Sequence, residues 1–241
     1  MPTLGSLVLG PIPRIAAPLS DGEVRTHADA ARRHADLVEL RIDRFARRDA
    51  AHVADTCRAA RTLGLPLIAT VRTVEEGGAV QLADAERLAL FRAAAPLVDG
   101  FDIELHAAIR DPVVAVAKQA GRIAIVSHHD LSRTPSDDDL AALFDAAVRA
   151  GADVVKVAAH AAGPADADRL LGFLRARRDR GVIVIALGPH GVASRVFFPL
   201  HGSLITYGFV VEAGAPGQLS LAELYAALRR YSPEFAATHA A

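Results

Sequence analysis

Short runs of continuous apolar, largely β-branched residues recur along the chain, separated by longer stretches whose apolar positions return every three or four residues. The runs are Arg14–Pro18, Leu37–Asp43, Leu67–Thr73, Gly100–Leu105, Ile123–His129, Asp153–Ala159, Val182–Leu187 and Ser203–Phe209. A strand that is apolar on both faces is buried on both, as in a parallel sheet covered by helices. Eight such units in 241 residues predict the α/β class and a (β/α)8 barrel, as a single domain over residues 1–241. Leu4–Gly10 is a candidate for a short extra strand ahead of the barrel.

The intervening segments carry helix signals. Leu140, Leu143, Phe144, Ala147 and Val148 form one stripe at helical spacing, behind a Ser136 cap with Asp139 in the first turn. Ser20 with Glu23, and Ser220 with Glu223, fit the capping box, and Leu221, Leu224 and Leu228 continue the second of these helices. Residues after Pro233 are expected to fray. A doubly wound open sheet is the structural rival. No Gly-x-Gly-x-x-Gly follows the first strand, so its dinucleotide-binding version lacks support.

The polar residues break this pattern in an ordered way. Glu39, Arg41 and Asp43 share one parity, Thr70 and Arg72 another set, and Asp102 and Glu104 a third, each near the C-terminal end of its strand. Alternate strand residues face the inside of a barrel, and that end is where catalytic groups gather. A salt-bridge layer plugging the barrel, such as Arg41 or Arg72 against Glu104, is the competing structural role for these charges.

Lys156 lies inside the otherwise apolar Asp153–Ala159. Lysine is rarely buried unless paired or functional, and a desolvated amine can attack a carbonyl to form a Schiff base. Ser127-His128-His129-Asp130 ends the fifth strand, and either histidine is a candidate general acid or base. Parity does not choose between them. Adjacent strand residues face opposite ways, so a metal held by both is not expected. His160, His190 and His201 read as loop or surface residues. The loops Gly188–Arg195 and Gly214–Gln218 add Arg195, giving a local excess of cations with Arg41, Arg72 and Lys156. That excess points to a small anionic substrate, and an arginine fork suits a carboxylate.

Composition narrows the partners. The chain is 51% hydrophobic with a net charge of −1, so no basic field is present to hold nucleic acid. A single cysteine, Cys57, excludes disulfides within the chain and fits a reducing cytoplasm. The N-terminal residues lack the pattern of a signal peptide, and no apolar run is long enough to span a membrane.

Taken in order along the chain, several segments resemble the type I 3-dehydroquinate dehydratase family. They are Glu39–Asp43, Arg72–Gly78, Asp102–Leu105, Ser127–Asp130, Lys156–Ala158, Gly191–Arg195 and Ala215-Pro216-Gly217-Gln218. The resemblance covers nearly the whole chain. It implies dehydration of 3-dehydroquinate to 3-dehydroshikimate, a step of the shikimate pathway, without metal or organic cofactor, by a cytoplasmic homodimer. It assigns the Schiff-base lysine to Lys156, the general acid and base to His129, and the carboxylate that orients it to Glu76. It gives Glu39, Arg41 and Arg72 to the ring hydroxyls and site order, and Arg195 with Gln218 to the substrate carboxylate. Two positions depart from the family: Gly214 stands where members often carry a serine, and Pro18 where some members carry one. The departures leave open a related Schiff-base lyase acting on a modified cyclohexanone acid, and a non-catalytic metabolite-binding barrel is the alternative from another class.

Overall fold

The computed structural model describes residues 1–177, 180–214 and 217–240. Two short strands, β1 (Thr3–Leu4) and β2 (Leu7–Val8), form an antiparallel hairpin. Eight parallel strands follow: β3 (Arg14–Leu19), β4 (Leu37–Arg41), β5 (Leu67–Thr70), β6 (Gly100–Glu104), β7 (Ile123–Asp130), β8 (Val154–His160), β9 (Val182–Leu187) and β10 (Ile205–Tyr207). Their order in the sheet is β10-β3-β4-β5-β6-β7-β8-β9, sequential and without reversal, which excludes the doubly wound alternative. The barrel closes between β9 and β10 through the Leu204 N–H to Val182 carbonyl bond at 3.0 Å. Beside it, Ser203 Oγ accepts from the Val184 N–H at 3.0 Å.

Strand parity sorts the core into two clusters. Val155, Val157 and Ala159 of β8 pack outward against the helices with Leu40, Ile103 and Val126. Val154 and Ala158 face inward with Leu37, Ile68, Ile125 and Ile183. Leu4 and Leu9 join this inner cluster, so the N-terminal hairpin closes the barrel's N-terminal end. The expected extra strand is therefore a hairpin, and its work is to plug the floor of the barrel.

Strand starts share a device. Asp36, Asp99 and Asp153 stand just before β4, β6 and β8. Each accepts the N–H at the start of the preceding strand, from Ile15, Leu67 and Ala124, at 2.8–2.9 Å. A buried strand-end N–H without a partner is costly, so an aspartate there fixes the register as well as the charge pattern.

The helix signals are realised. Ser20 accepts from the Glu23 N–H, Ser220 from that of Glu223, and Ser136 from that of Asp139. The expected fraying after Pro233 is not seen over the described residues 233–240. Ser232 caps a helix over Pro233–Thr238, and Phe235 is fully buried. His239 then stacks on Phe235 and bonds Asp36 Oδ1 at 2.9 Å, tying the chain end to the base of β4. Among the described residues no helix is long and apolar enough to cross a membrane.

Candidate active site

Above the apolar floor, the inward positions turn polar. Glu39 and Arg41 of β4, Thr70 of β5, Asp102 and Glu104 of β6, Ser127 of β7 and Lys156 of β8 sit next to one another through the parallel registers. All but Arg41 are buried, so each must find a partner within the layer. Asp102 is the hub. Its Oδ1 accepts from Arg72 Nη2 at 2.8 Å and from Ser127 Oγ at 2.6 Å, and its Oδ2 accepts from Lys156 Nζ at 2.7 Å. Burial opposes its ionisation, but the Arg72 and Lys156 charges outweigh burial and hold it well below the usual carboxylate range.

Arg72 anchors the other side of the layer. Its Nη1 donates to Glu104 Oε1 at 3.1 Å and to Ser127 Oγ at 2.8 Å. Glu104 Oε2 meets a second guanidinium, Arg87 Nη2, at 2.6 Å, reaching in from the helix Asp84–Ala94. A continuous path of charge thus runs Arg87–Glu104–Arg72–Asp102–Lys156. The salt-bridge plug and the inner polar layer are one network, and both terminal nitrogens of Arg72 are occupied within it. Arg41 is engaged too, bidentate on buried Asp43 at 2.9 and 2.8 Å. Asp43 itself lies in a 3₁₀ turn, Ile42–Arg44, because β4 ends at Arg41; likewise β5 ends at Thr70, ahead of Arg72 and Thr73.

The two histidines separate by face. Ser127 and His129 continue the inward parity of Ile123 and Ile125, and His129 lines the cavity at the barrel mouth. His128 turns outward and packs edge-on against His106, with ring centroids 5.4 Å apart. Glu76 grips His129 twice: its Oε2 accepts from the backbone N–H at 2.9 Å and sits 2.8 Å from Nδ1. The loop geometry behind Glu76 depends on the glycine pair. Gly77 adopts φ +87°, and a Cβ at Gly78 would stand 2.1 Å from the Arg72 carbonyl, so no other residue fits there.

Burial disfavours charge on both members of this pair. It pushes Glu76 up to about 7. It drives His129 well below the ordinary imidazole value, with Arg72 and Lys156 adding to the effect. Near neutrality the imidazole is therefore uncharged, Nδ1–H donates to the carboxylate, and Nε2 is the nitrogen left for the cavity. The ionised Glu76 is present above about 7 and lost as pH falls through it. kcat/KM is expected to decline below that point, and Glu76→Gln should remove the step. An acid limb unchanged in that variant would assign it to another group.

The cavity measures about 220 Å³, with Lys156, Glu39 and Ala158 at its base and His129 on one wall. Nζ of Lys156 stands 3.9 Å from Glu39 Oε1 and 4.3 Å from the ring centre of Tyr207. Arg195, from the segment after β9, also lines the cavity and is only 3% exposed. Its Nε and Nη2 have no hydrogen-bond partner among the described residues, and burial pushes the guanidinium down to about 10. A buried, unpartnered cation is expensive unless an anion completes it. Gln218 donates to the Tyr207 carbonyl at 3.3 Å and accepts from the Gly214 N–H at 2.9 Å. Ala215 and Pro216 of the same motif lie outside the described residues.

Lys156, His129, Glu76, Glu39, Arg41, Arg72, Arg195 and Gln218 all line this one cavity. Residues that sequence reasoning left aside are Tyr207, Arg87 and the hub role of Asp102. Tyr207 shares the inward parity of Ile205, a signal that was available. Arg87 lies on an outer helix, and nothing local marks it as an inner ligand. Of the other histidines, His160 ends β8 as a strand residue, whereas His190 and His201 lie in short 3₁₀ turns. Among the described residues no group of three His, Cys, Asp or Glu side chains is placed to hold a metal ion.

Comparison with known proteins agrees along most of the chain. The family model for type I 3-dehydroquinase matches residues 15–233. A 3-dehydroquinate dehydratase of Methanosarcina barkeri is 36% identical over 231 residues, covering 92% of this chain and 96% of that one. The crystal structure of the 3-dehydroquinate dehydratase of Aquifex aeolicus superposes with a TM-score of 0.82 at 32% identity, covering 91% of this chain and 99% of that one. That of the type I enzyme of Clostridium difficile, with a covalently modified comenic acid, superposes with a TM-score of 0.88 at 26% identity, covering 96% and 97%.

Proposed function

The chain belongs to the type I 3-dehydroquinase family of hydro-lyases, and from that premise we propose that it dehydrates 3-dehydroquinate through an imine on Lys156, with His129 as general acid and base. The observation that carries this reading is the placement of a buried amine and a carboxylate-held imidazole on one small cavity.

The Lys156 amine must be neutral to attack. Asp102, held well below the usual carboxylate range, is too acidic to take its proton, so the proton leaves to another base before the ketone is engaged. Attack on the ring ketone and loss of water then give an iminium ion. This keeps a positive nitrogen where the ammonium stood, between Asp102 Oδ2 and the face of Tyr207. That environment stabilises the cation without rearrangement, which is electrostatic preorganisation. The iminium draws electrons from the neighbouring C–H, and His129 Nε2 removes that proton to leave an enamine. The enamine nitrogen then pushes its lone pair in to reform the iminium, and the carbon–carbon pair shifts to form the new double bond as the β-hydroxyl departs, taking the proton from His129 and leaving as water. Hydrolysis of the conjugated imine restores Lys156 and releases 3-dehydroshikimate.

Arg195 supplies the binding end. A carboxylate would complete its unpartnered nitrogens, with Gln218 beside it. A charged hydrogen bond of this kind contributes about 1.5–3 kcal/mol. Arg195→Ala is therefore expected to raise KM roughly 10- to 150-fold with a smaller change in kcat. An unchanged KM would place the acid group elsewhere. Glu39 accepts from Thr70 Oγ1 at 2.8 Å through Oε1, which leaves Oε2 for a ring hydroxyl.

The direct experiment is borohydride reduction in the presence of 3-dehydroquinate, followed by intact mass and peptide mapping. Ligand-derived mass on the peptide bearing Lys156 is expected. A folded protein that binds the acid yet gives no adduct would leave a barrel that recognises the ligand without this chemistry.

A further inference from the structure

One cation on the cavity wall has no part in the chemistry above. Arg44 ends the 3₁₀ turn after β4, and its half-buried side chain lines the same cavity. Arg41 and Arg72 are matched to carboxylates within ion-pair distance, but Arg44 has none among the described residues. Its single side-chain hydrogen bond among the described residues is a long one, from Nη2 to the Gly214 carbonyl at 3.4 Å. Burial, reinforced by Arg41 nearby, pushes the guanidinium below its usual range and outweighs the more distant carboxylates of Asp43, Glu39 and Glu23.

The guanidinium occupies this place because residue 214 has no side chain. A Cβ there would stand 2.8 and 2.9 Å from Nη1 and Nη2, inside van der Waals contact, and the arginine tip would have to swing away. The same glycine is held from its other side, where its N–H donates to Gln218 Oε1. Arg44 and Gln218 therefore converge on one residue of the cavity rim, while Arg195 approaches from the β9–β10 side.

We propose that Arg44 is a specificity-determining residue: its guanidinium, given room by Gly214, donates to the carboxylate end of the bound substrate and forms a second cationic contact there beside Arg195. This rests on the ring acid being the ligand of the cavity, as the proposed function has it. Two guanidinium groups on one carboxylate favour a fully ionised acid over its ester or amide, since each fork needs anionic oxygen acceptors.

The test compares wild type with Arg44→Met, Arg44→Lys and Gly214→Ser. Calorimetric binding of 3-dehydroshikimate is measured alongside the KM for 3-dehydroquinate and for its methyl ester. Arg44→Met should weaken binding of the acid roughly tenfold, with kcat within about twofold and a smaller effect on the ester. Arg44→Lys should fall between the two. Gly214→Ser should weaken acid binding in the wild-type background and have little effect in the Arg44→Met background, because there is then no guanidinium to displace. Equal losses for acid and ester, or fully additive effects of the two substitutions, would overturn the proposal. Borohydride labelling of Lys156 separates the two readings. Labelling that persists in Arg44→Met while affinity is unchanged defeats the role of Arg44 alone. Absence of both binding and labelling in wild type defeats the proposed function and this inference together.

Discussion

Lys156→Ala is expected to reduce turnover of 3-dehydroquinate by at least about four orders of magnitude, because it removes the covalent route rather than one stabilising contact. Other substitutions in the cavity leave the iminium available; this one removes the electron sink on which proton abstraction depends. The structural consequence is narrower. Asp102 loses one donor at 2.7 Å but keeps Arg72 and Ser127 on its other oxygen, so the buried charge is not orphaned. Complete loss of one partner from a buried pair costs about 3–5 kcal/mol, and the two remaining donors should hold the actual loss below that range. Lys156→Met keeps most of the stem volume and serves as the control for packing against Tyr207. Both variants should unfold cooperatively and still bind 3-dehydroshikimate, and neither should be labelled by borohydride. Substantial residual turnover in either would rule out the imine. Turnover lost together with the cooperative transition in both would show that Lys156 holds the inner layer together, and catalysis would then need a separate test.

The barrel was legible because its strands are buried on both faces. Continuous apolar runs gave all eight, and the alternation within them separated the inward polar set from the outward apolar one. Strand ends were less legible. The alternation of Glu39, Arg41 and Asp43 runs on past the ladder, yet the backbone winds into a 3₁₀ turn after Arg41, so that Asp43 reaches the Arg41 fork and the Ala79 N–H. Periodicity records which face a side chain prefers, not where the hydrogen-bond ladder stops. The C-terminal helix was missed for a related reason: Phe235 is a lone large apolar residue in its segment, and its burial depends on Tyr225 and His239 around it. In the site, the residue types were readable but most of their partners were not. The pairing of Arg72 with Glu104 was among the expected salt bridges, but nothing in the sequence tells that Arg41 turns to Asp43 instead, that Asp102 holds Arg72 and Lys156 together, or that Arg195 has no partner among the described residues. Those facts depend on which side chains the closed barrel brings across its interior. The choice between His128 and His129 is similar. It follows from counting parity back to Ile123 and Ile125, which requires knowing that those two face the inner cluster.

His129→Ala should separate imine formation from everything after it. The amine and its Asp102 and Tyr207 surroundings remain, so borohydride should still label Lys156. Proton abstraction loses its base, and kcat should fall roughly 10²- to 10⁴-fold, the usual contribution of a positioned general base. KM should change less, because the proposed carboxylate contacts, Arg195 and Gln218, are left in place. A labelled but slow enzyme is therefore the expected signature, and an acid limb arising from Glu76 should flatten with it, since Glu76 acts through the imidazole it holds. Normal turnover would require a different base, and His128 is the nearest histidine. The geometry makes that substitution difficult. His128 faces the helices, its ring packs on His106, and its Nδ1 stands 3.9 Å from Oε1 of Glu76, which lines the cavity as His128 does not. It could act only through Glu76, and His129→Ala combined with Glu76→Gln would then abolish what His129→Ala alone had left. If instead labelling were lost in His129→Ala while the ligand still bound, the imidazole would be needed to deprotonate Lys156, and its first task would precede the carbon–hydrogen cleavage.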